Sequence, residues 1–267
     1  MLGDAEMEFK ELGGTGVKIP EIGLGTAGYT SGSKPLRRGI DLGATHIDTA
    51  ESYGTEDQVG ACVAGIRNQV FISTKVSPGH FRHKDLINAA NNSLKLLQTD
   101  HIDLYQLHRP NPDVPIAETM GAMDRLVQDG KVRFVGVSNF SVSELKAAQS
   151  ATSNKIVSNQ VRYSLTDRYI EGELLPYCQK HAVTVIAYSP LKAIWGGSLE
   201  ALRSVAETTG KTEAQVALNW STNRDGIVTI PKSNSTARIE ENCGGSGWRL
   251  TEGQVTLLES YYKGSDC

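Results

Sequence analysis

The sequence lacks the hallmarks of several protein classes. Its four cysteines (Cys62, Cys178, Cys243 and Cys267) are far apart and form no CxxC pair, so neither a disulfide framework nor a zinc site is expected. No basic tract is longer than Arg37-Arg38, which leaves no electrostatic footprint for nucleic acid. There is no apolar run of about 20 residues to span a bilayer, and no apolar signal segment opens the chain. We expect a soluble cytoplasmic protein.

Short strand-like runs instead alternate with helical patterns along the 267 residues, of which 39% are hydrophobic. A hairpin is predicted first, over residues 8–20, with glycines at its turn. The strands predicted after it are 21–24, 45–48, 70–75, 102–107, 134–137, 156–160, 184–188 and 226–230. The predicted helices are 35–42, 56–64, 84–97, 115–129, 142–149, 172–181, 198–208, 212–223, 236–243 and 252–262.

This alternation predicts a (β/α)8 TIM barrel, because eight βα units in about 240 residues match the usual size of that fold. No linker divides the chain, so we expect one α/β domain over residues 1–267, closed by the short C-terminal helix. Ser141 and Glu144 predict a helix capping box, and Gly130 and Gly210 predict helix ends. A doubly wound sheet is the alternative, although it would usually show fewer strands or a second domain.

One glycine motif points to a different fold. Residues 23–28 (GLGTAG) match GxGxxG, and Asp48 lies 20 residues beyond Gly28, as in a dinucleotide-binding fingerprint. That motif should open a helix directly, whereas residues 29–35 have the composition of a turn. We therefore favour a tight turn after the first barrel strand, where the backbone can approach a ligand closely.

Polar residues lie at the ends of three consecutive predicted strands. Asp48, Lys75 and His108 close these strands, and Tyr53 follows the first of them. In a barrel these ends share the active-site face. A lysine ammonium is expected to lower the pKa of Tyr53 so that it acts as a general acid, with Asp48 holding Lys75. A neutral His108 would orient a carbonyl oxygen. Taken singly, each residue also has an ordinary structural explanation.

The later strand ends are polar as well. Ser138, Asn139 and Gln160 offer the donors and acceptors that a carboxamide needs. Tyr188 offers a flat face for a heteroaromatic ring. These are the requirements of a nicotinamide.

The loop after the last predicted strand is a candidate phosphate site. Lys232, Ser233 and Arg238 lie where it leads into a helix, and barrels often bind phosphate after strands seven and eight. A capped helix start with solvated basic residues is the simpler interpretation of this loop.

Several of these stretches form a connected pattern. They are residues 23–26 (GLGT), 46–54 (HIDTAESYG), 72–75 (ISTK), 103–108 (DLYQLH), 130–140 (GKVRFVGVSNF) and 230–233 (IPKS), with Arg238, Glu241 and Asn242 completing the last motif. In order, spacing and content the sequence resembles the aldo-keto reductases over essentially its whole length. Its brief loops are typical of a short-loop, microbial member.

The resemblance implies an NADPH-dependent carbonyl reductase whose N-terminal hairpin closes the bottom of the barrel. It implies Tyr53 as the proton donor, supported by Asp48, Lys75 and His108. It implies that the cofactor contacts Gly25, Thr26, Asp48, Ser138, Asn139, Gln160, Tyr188, Ser189, Leu191, Lys232, Ser233, Arg238, Glu241 and Asn242. Retention of both cations in this set favours NADPH over NADH.

The chain departs from the family pattern at the substrate pocket. Many members have tryptophan where this chain has Ala27 and Arg109, and their pocket loops are longer. We expect an open pocket formed by Ala27, Tyr29, Arg109 and Trp195, with Arg109 favouring anionic or polar carbonyl compounds.

Two other functions stay open. The first is an NADPH-binding regulatory subunit with little turnover. The predicted proton donor argues against it, because a binding module needs none. An aldolase or isomerase would use Lys75 as a Schiff-base amine but would leave Gln160 and Tyr188 unexplained. For the main interpretation the partner is a small carbonyl substrate, no metal is expected, and the chain is a monomer or at most a weak dimer.

Overall fold

The computed structural model describes residues 6–195 and 200–262. The predicted hairpin is present, with strands β1 (Phe9–Glu11) and β2 (Lys18–Pro20) paired antiparallel. Eight further strands form a parallel sheet. They are β3 (Leu24–Gly25), β4 (His46–Asp48), β5 (Phe71–Val76), β6 (Ile102–Leu107), β7 (Val132–Ser138), β8 (Ile156–Arg162), β9 (Thr184–Tyr188) and β10 (Ile227–Thr229).

The sheet closes on itself. Each strand from β3 to β10 pairs in parallel with the next one along the chain. Its two ends meet through bridges that join Ile22 to Thr229 and Gly25 to Lys232. The backbone nitrogen of Gly23 also donates to the oxygen of Thr229 at 2.8 Å. The predicted (β/α)8 barrel is therefore confirmed, and the doubly wound alternative is wrong.

Helices pack around this barrel. They are α1 (Ser33–Asp41), α2 (Glu56–Val63), α3 (His83–Leu97), α4 (Ile116–Gln128), α5 (Val142–Ser150), α6 (Leu174–Lys180), α7 (Glu200–Thr209), α8 (Glu213–Thr222), α9 (Thr236–Cys243) and α10 (Glu252–Tyr261). The predicted capping box of α5 is present, since Ser141 and Glu144 bond each other's backbone. Among the described residues, no helix has the length and apolar character needed to cross a membrane.

Most boundaries lie close to those predicted. The first barrel strand starts late, at Leu24; before it, the nitrogen of Glu21 donates to Glu8 of the hairpin, while the oxygen of Glu21 accepts from Thr229 of the last barrel strand. Helix α6 starts at Leu174 because a 3-10 turn at Tyr169–Glu171 comes just before it. The predicted start of α7, at residue 198, lies outside the described residues.

The hairpin seals one end of the barrel. Leu12 and Ile19 are fully buried. They pack against side chains of the barrel strands and of the residues next to them: Phe71, Leu104, Val157, Ile186, Val228 and Ile230. Gly13 has φ +55°, and a Cβ there would lie 2.5 Å from Cβ of Val157, so only glycine fits this close approach. The expected closure of the barrel bottom is confirmed.

The barrel interior above this apolar plug is polar. Nε2 of His46 lies 2.6 Å from Oγ of Ser73, and Ser158 donates to Oε1 of Gln106 at 3.4 Å. All four side chains are fully buried. Because alternate residues of a strand face the same side, this layer lies directly beneath the last inward-facing residues of β4 and β5. Burial lowers the pKa of His46 to about 4, so its ring is neutral at neutral pH.

A buried carboxylate ties the hairpin to the C-terminal part of the chain. Glu21 is fully buried, and its Oε2 accepts from Arg249 at 2.8 Å while its Oε1 accepts from Ser246 at 2.6 Å. Lys10 Nζ lies 4.0 Å from Oε2 of Glu21 and donates to the backbone oxygen of Arg224. Burial lowers the pKa of Lys10 to about 8.

Replacing this carboxylate tests its contribution to stability. Glu21→Gln leaves Lys10 without its ion-pair partner and Arg249 with Glu8 alone, so we expect the free energy of unfolding in urea to fall by about 2–3 kcal/mol. Glu240→Gln is the matched control, because Glu240 pairs with Arg38 at the surface and its loss should leave the unfolding midpoint unchanged. An equal change in the free energy of unfolding for both variants would contradict a stabilising role of the buried Glu21 carboxylate.

His46 predicts a pH dependence of stability. Its pKa is about 4 in the folded chain against an ordinary 6.5, so between these values the unfolded state binds more protons. The free energy of unfolding should therefore fall as the pH drops through this window, by roughly 3 kcal/mol from this residue. Denaturant titrations across the window should show a shallower pH slope for His46→Asn than for the wild type. The exposed His181→Asn serves as control, and an unchanged slope in His46→Asn would refute the assignment.

Candidate active site

The four predicted catalytic side chains come together at the carboxyl ends of the strands. Asp48 ends β4, Lys75 is the next-to-last residue of β5, and His108 directly follows β6. Tyr53 ends the 3-10 turn Glu51–Tyr53. Its ring centroid lies 5.0 Å from Nζ of Lys75 and 5.5 Å from the ring centroid of His108. An amine, a carboxylate, a phenol and an imidazole thus share one rim of the barrel.

Lys75 and Asp48 form an ion pair that is almost wholly removed from water. Nζ lies 2.6 Å from Oδ1, and the two side chains are 0% and 2% exposed. Lys75 also donates to the backbone oxygen of Thr49 at 2.8 Å. Nε2 of Gln160 donates to Oδ2 of Asp48 at 2.8 Å. Each charged group is therefore bonded more than once, which a buried ion pair requires. The contact with Gln160 has no signal in the sequence.

Burial changes the proton affinity of the groups around this pair. It lowers the pKa of Lys75, and the charge of Asp48 opposes that change. Burial, followed by the charge of Lys75, lowers the pKa of His108 to about 4. The imidazole of His108 is therefore neutral at neutral pH and keeps one N–H as a hydrogen-bond donor.

The prediction that Lys75 lowers the pKa of Tyr53 is wrong. Burial of the phenol raises this pKa, and the charge of Asp48 raises it further. The physical reason is that Asp48 neutralises Lys75 at 2.6 Å, so the phenol faces an ion pair rather than a free ammonium. Tyr53 therefore keeps its proton through the neutral range, which is the state a general acid needs before it reacts.

The ends of β7, β8 and β9 carry a second, linked cluster. Ser138 Oγ donates to the backbone oxygen of Gln160 at 2.9 Å. Asn139 Nδ2 donates to Oγ of Ser138 at 3.0 Å and to the backbone oxygen of His108 at 3.1 Å. The hydroxyl of Tyr188 donates to Oδ1 of Asn139 at 3.0 Å. The predicted nicotinamide-binding residues are thus adjacent to one another and joined to the catalytic residues.

Both clusters, apart from the fully buried Lys75, line one cavity of about 430 Å³. Tyr53 and His108 lie in its wall, together with Ser189, Leu191 and Lys232. A second cavity, of about 270 Å³, shares Leu191 and Lys232 with the first. The two cavities are therefore adjacent, and together they form what we call the groove, which extends from the catalytic residues to the loop after β10.

The glycine motif contributes to the wall of this groove. Helix α1 begins only at Ser33, so residues 23–28 do not open a helix as a dinucleotide fingerprint would. A Cβ on Gly25 would lie 2.6 Å from a backbone oxygen just after β10, and glycine thus allows the barrel to close here. Oγ1 of Thr26 donates to the backbone oxygen of Asp48 at 2.9 Å. Gly25 and Thr26 both line the first cavity.

The predicted phosphate-binding residues surround the second cavity. Its wall contains Lys232, Ser233, Arg238, Glu241 and Asn242. Helix α9 starts here, and its N-cap Ser235 accepts from the backbone nitrogen of Arg238. A helix N-terminus favours anions, as do cations beside it. Lys232 and Arg238 are exposed and have no carboxylate partner among the described residues.

The prediction that Tyr29 lies in the substrate pocket is wrong. Its ring is 1% exposed and belongs to the core, and its hydroxyl donates to the backbone oxygen of Gly32 at 2.6 Å. The turn from Thr26 to Tyr29, closed by a backbone hydrogen bond of 3.0 Å, carries the ring away from the groove.

The other predicted pocket residues have different positions. Ala27 lines the first cavity. Arg109 is exposed beside His108 and is not part of the cavity wall. The side chain of Trp195 lies outside the described residues. Three further wall residues lie outside the stretches predicted to form the site, because apolar and helix-start residues carry no chemical signature: Ile194, Glu213 and Ala214.

Comparison with known sequences places the chain in one family. The model of the Aldo/keto reductase family matches residues 21–263. Methylglyoxal reductase YeaE of Escherichia coli is 36% identical over 262 residues, covering 92% of each chain. Glyoxal reductase of Bacillus subtilis is 34% identical over 254 residues, covering 93% of this chain and 91% of its own.

Solved structures agree. The thermostable aldo-keto reductase Tm1743, solved with the inhibitor epalrestat, has a TM-score of 0.91 and 39% identity, covering 96% of this chain and 100% of its own. An aldo/keto reductase from Klebsiella pneumoniae, solved with NADP and acetate, has a TM-score of 0.88 and 34% identity, covering 97% of each chain. With the family model matching nearly the whole sequence, this chain belongs to the aldo/keto reductase family.

Proposed function

We propose that this chain reduces aldehydes and ketones to alcohols with NADPH, and that Tyr53 is the proton donor. The names of two relatives, methylglyoxal reductase and glyoxal reductase, support carbonyl reduction. Similar solved chains hold NADP or NADPH. The observation that carries the proposal is the buried Lys75–Asp48 pair beside a protonated Tyr53 and a neutral His108 in one cavity.

The groove suits NADPH along its length. Ser138 and Asn139 present hydroxyl and amide groups that match a carboxamide, and the ring of Tyr188 lies in the same wall. At the other end, Lys232 and Arg238 are two cations without carboxylate partners in the described chain, which suits the 2′-phosphate. When bound, NADPH supplies the hydride that reduces the carbonyl carbon.

The protein supplies the proton and stabilises charge. As negative charge develops on the carbonyl oxygen, the hydroxyl of Tyr53 donates its proton to that oxygen. Lys75, 5.0 Å from the ring of Tyr53, stabilises the phenolate that this leaves, and Asp48 keeps the ammonium in place. His108, being neutral, donates an N–H to the same oxygen and orients the substrate.

Removing the Tyr53 hydroxyl tests the proton donor. Tyr53→Phe should lower kcat for carbonyl reduction by roughly 10²–10⁴-fold, because general acid catalysis is lost, while NADPH binding is retained. Turnover is followed by the loss of reduced-nicotinamide absorbance and binding by fluorescence titration.

Tyr177→Phe, on the outer helix α6, is the matched control and should behave as the wild type. Near-native turnover of Tyr53→Phe would refute its role. NADPH binding by the wild type without turnover on any aldehyde would instead favour the regulatory-subunit alternative.

The phosphate end of the groove predicts cofactor preference. Replacing both cations, Lys232→Ala with Arg238→Ala, removes charge-assisted hydrogen bonds to the 2′-phosphate and should raise the Kd for NADPH by roughly 10- to 100-fold. The Kd for NADH, which lacks this phosphate, should change by less than about threefold. Lys146→Ala on the outer helix α5 controls for net charge. Equal loss of affinity for both cofactors would show that these cations do not contact the 2′-phosphate.

A further inference from the structure

Two arginines stand apart from the others in the described ranges. There, the remaining guanidinium groups each have a carboxylate or a hydrogen-bond partner, as in the pairs of Arg133 with Asp103 and Arg125 with Asp129. Arg109 and Arg238 have neither. Arg238 lies at the phosphate end of the groove, whereas Arg109 follows the catalytic His108 and lies outside the set of residues predicted to bind NADPH.

The backbone holds Arg109 beside the reacting groups. The preceding residue, His108, is fixed on both sides: its nitrogen donates to the oxygen of Val76 at 3.1 Å, and its oxygen accepts from Asn139 at 3.1 Å. The charge of Arg109 is close enough to the imidazole to lower the pKa of His108 further. Arg109 itself is exposed and directly follows His108, which is part of the cavity wall, so its guanidinium is available to a ligand that extends out of the cavity.

The two carboxylates whose charge acts on His108, Asp48 and Glu51, already have partners. Asp48 is bonded to Lys75. Glu51 lies 2.6 Å from Nδ1 of His80 and accepts from the backbone nitrogen of Ser77 at 2.8 Å. Among the described residues, no ion pair or hydrogen bond neutralises Arg109, which directly follows a wall residue at the catalytic end of the groove. A guanidinium fork of this kind matches a carboxylate in shape and charge.

We propose that Arg109 makes this enzyme selective for carbonyl substrates that carry a carboxylate, such as oxo acids and aldehyde acids. The proposal rests on the proposed reductase function and assigns the substrate class of that site. A carboxylate is favoured over a phosphate because its single charge matches one guanidinium. In the described wall of the first cavity, Lys232 is the one unpaired cation, and it lies at the far end.

Two probes of equal shape test this selectivity. 4-Formylbenzoate and 4-formylbenzamide share the ring and the aldehyde, and they differ in the charge of the group opposite it. Arg109→Gln should lower kcat/KM for 4-formylbenzoate about tenfold, mainly through KM, and change kcat/KM for the amide by less than about twofold. Arg109→Lys should recover part of the loss, because it restores charge but not the planar fork. Higher salt should reduce the wild-type preference for the anion.

Arg125→Gln on the outer helix α4 is the matched control, since it removes the same charge away from the groove and should change neither probe. An equal ratio of the two probes in the wild type and in Arg109→Gln would overturn the role of Arg109 while leaving the reductase function intact. Failure of the wild type to reduce either probe, or any other aldehyde, would overturn the reductase function and this selectivity with it.

Discussion

The buried ion pair of Lys75 and Asp48 is the constraint around which the site is arranged. Moving two charges out of water is costly, and the cost is offset only where both groups are fully hydrogen-bonded. Here the partners are the backbone of Thr49 and the amide of Gln160. The hydrogen bonds of this ion pair therefore hold the ends of β4, β5 and β8 together at one place on the rim.

The same pair sets the proton states of its neighbours. Because Asp48 neutralises Lys75, burial rather than a free charge dominates at the phenol and at the imidazole. Burial favours the neutral form of every acid and base, so Tyr53 keeps its proton while His108 gives its second proton up. The result is two uncharged donors facing one cavity, which can stabilise a developing oxyanion without attracting a competing anion beforehand.

The strand ends were predictable because β runs leave a local pattern and the ends of parallel strands share a rim. Contacts across the barrel leave no such pattern: Gln160 reaches Asp48 over 112 residues of sequence. Tyr29 shows why its own prediction failed: its position just after the glycines does not reveal on which side of the turn its ring lies. The direction of the pKa shift of Tyr53 likewise depends on a distance, that between Lys75 and Asp48.

The hairpin that seals the barrel determines from which side ligands reach the groove. Leu12 and Ile19 are fully buried at the bottom of the barrel. The apolar plug therefore closes that end to water and to ligands. Cofactor and substrate must therefore enter and leave on the same side of the barrel, at the carboxyl ends of its strands.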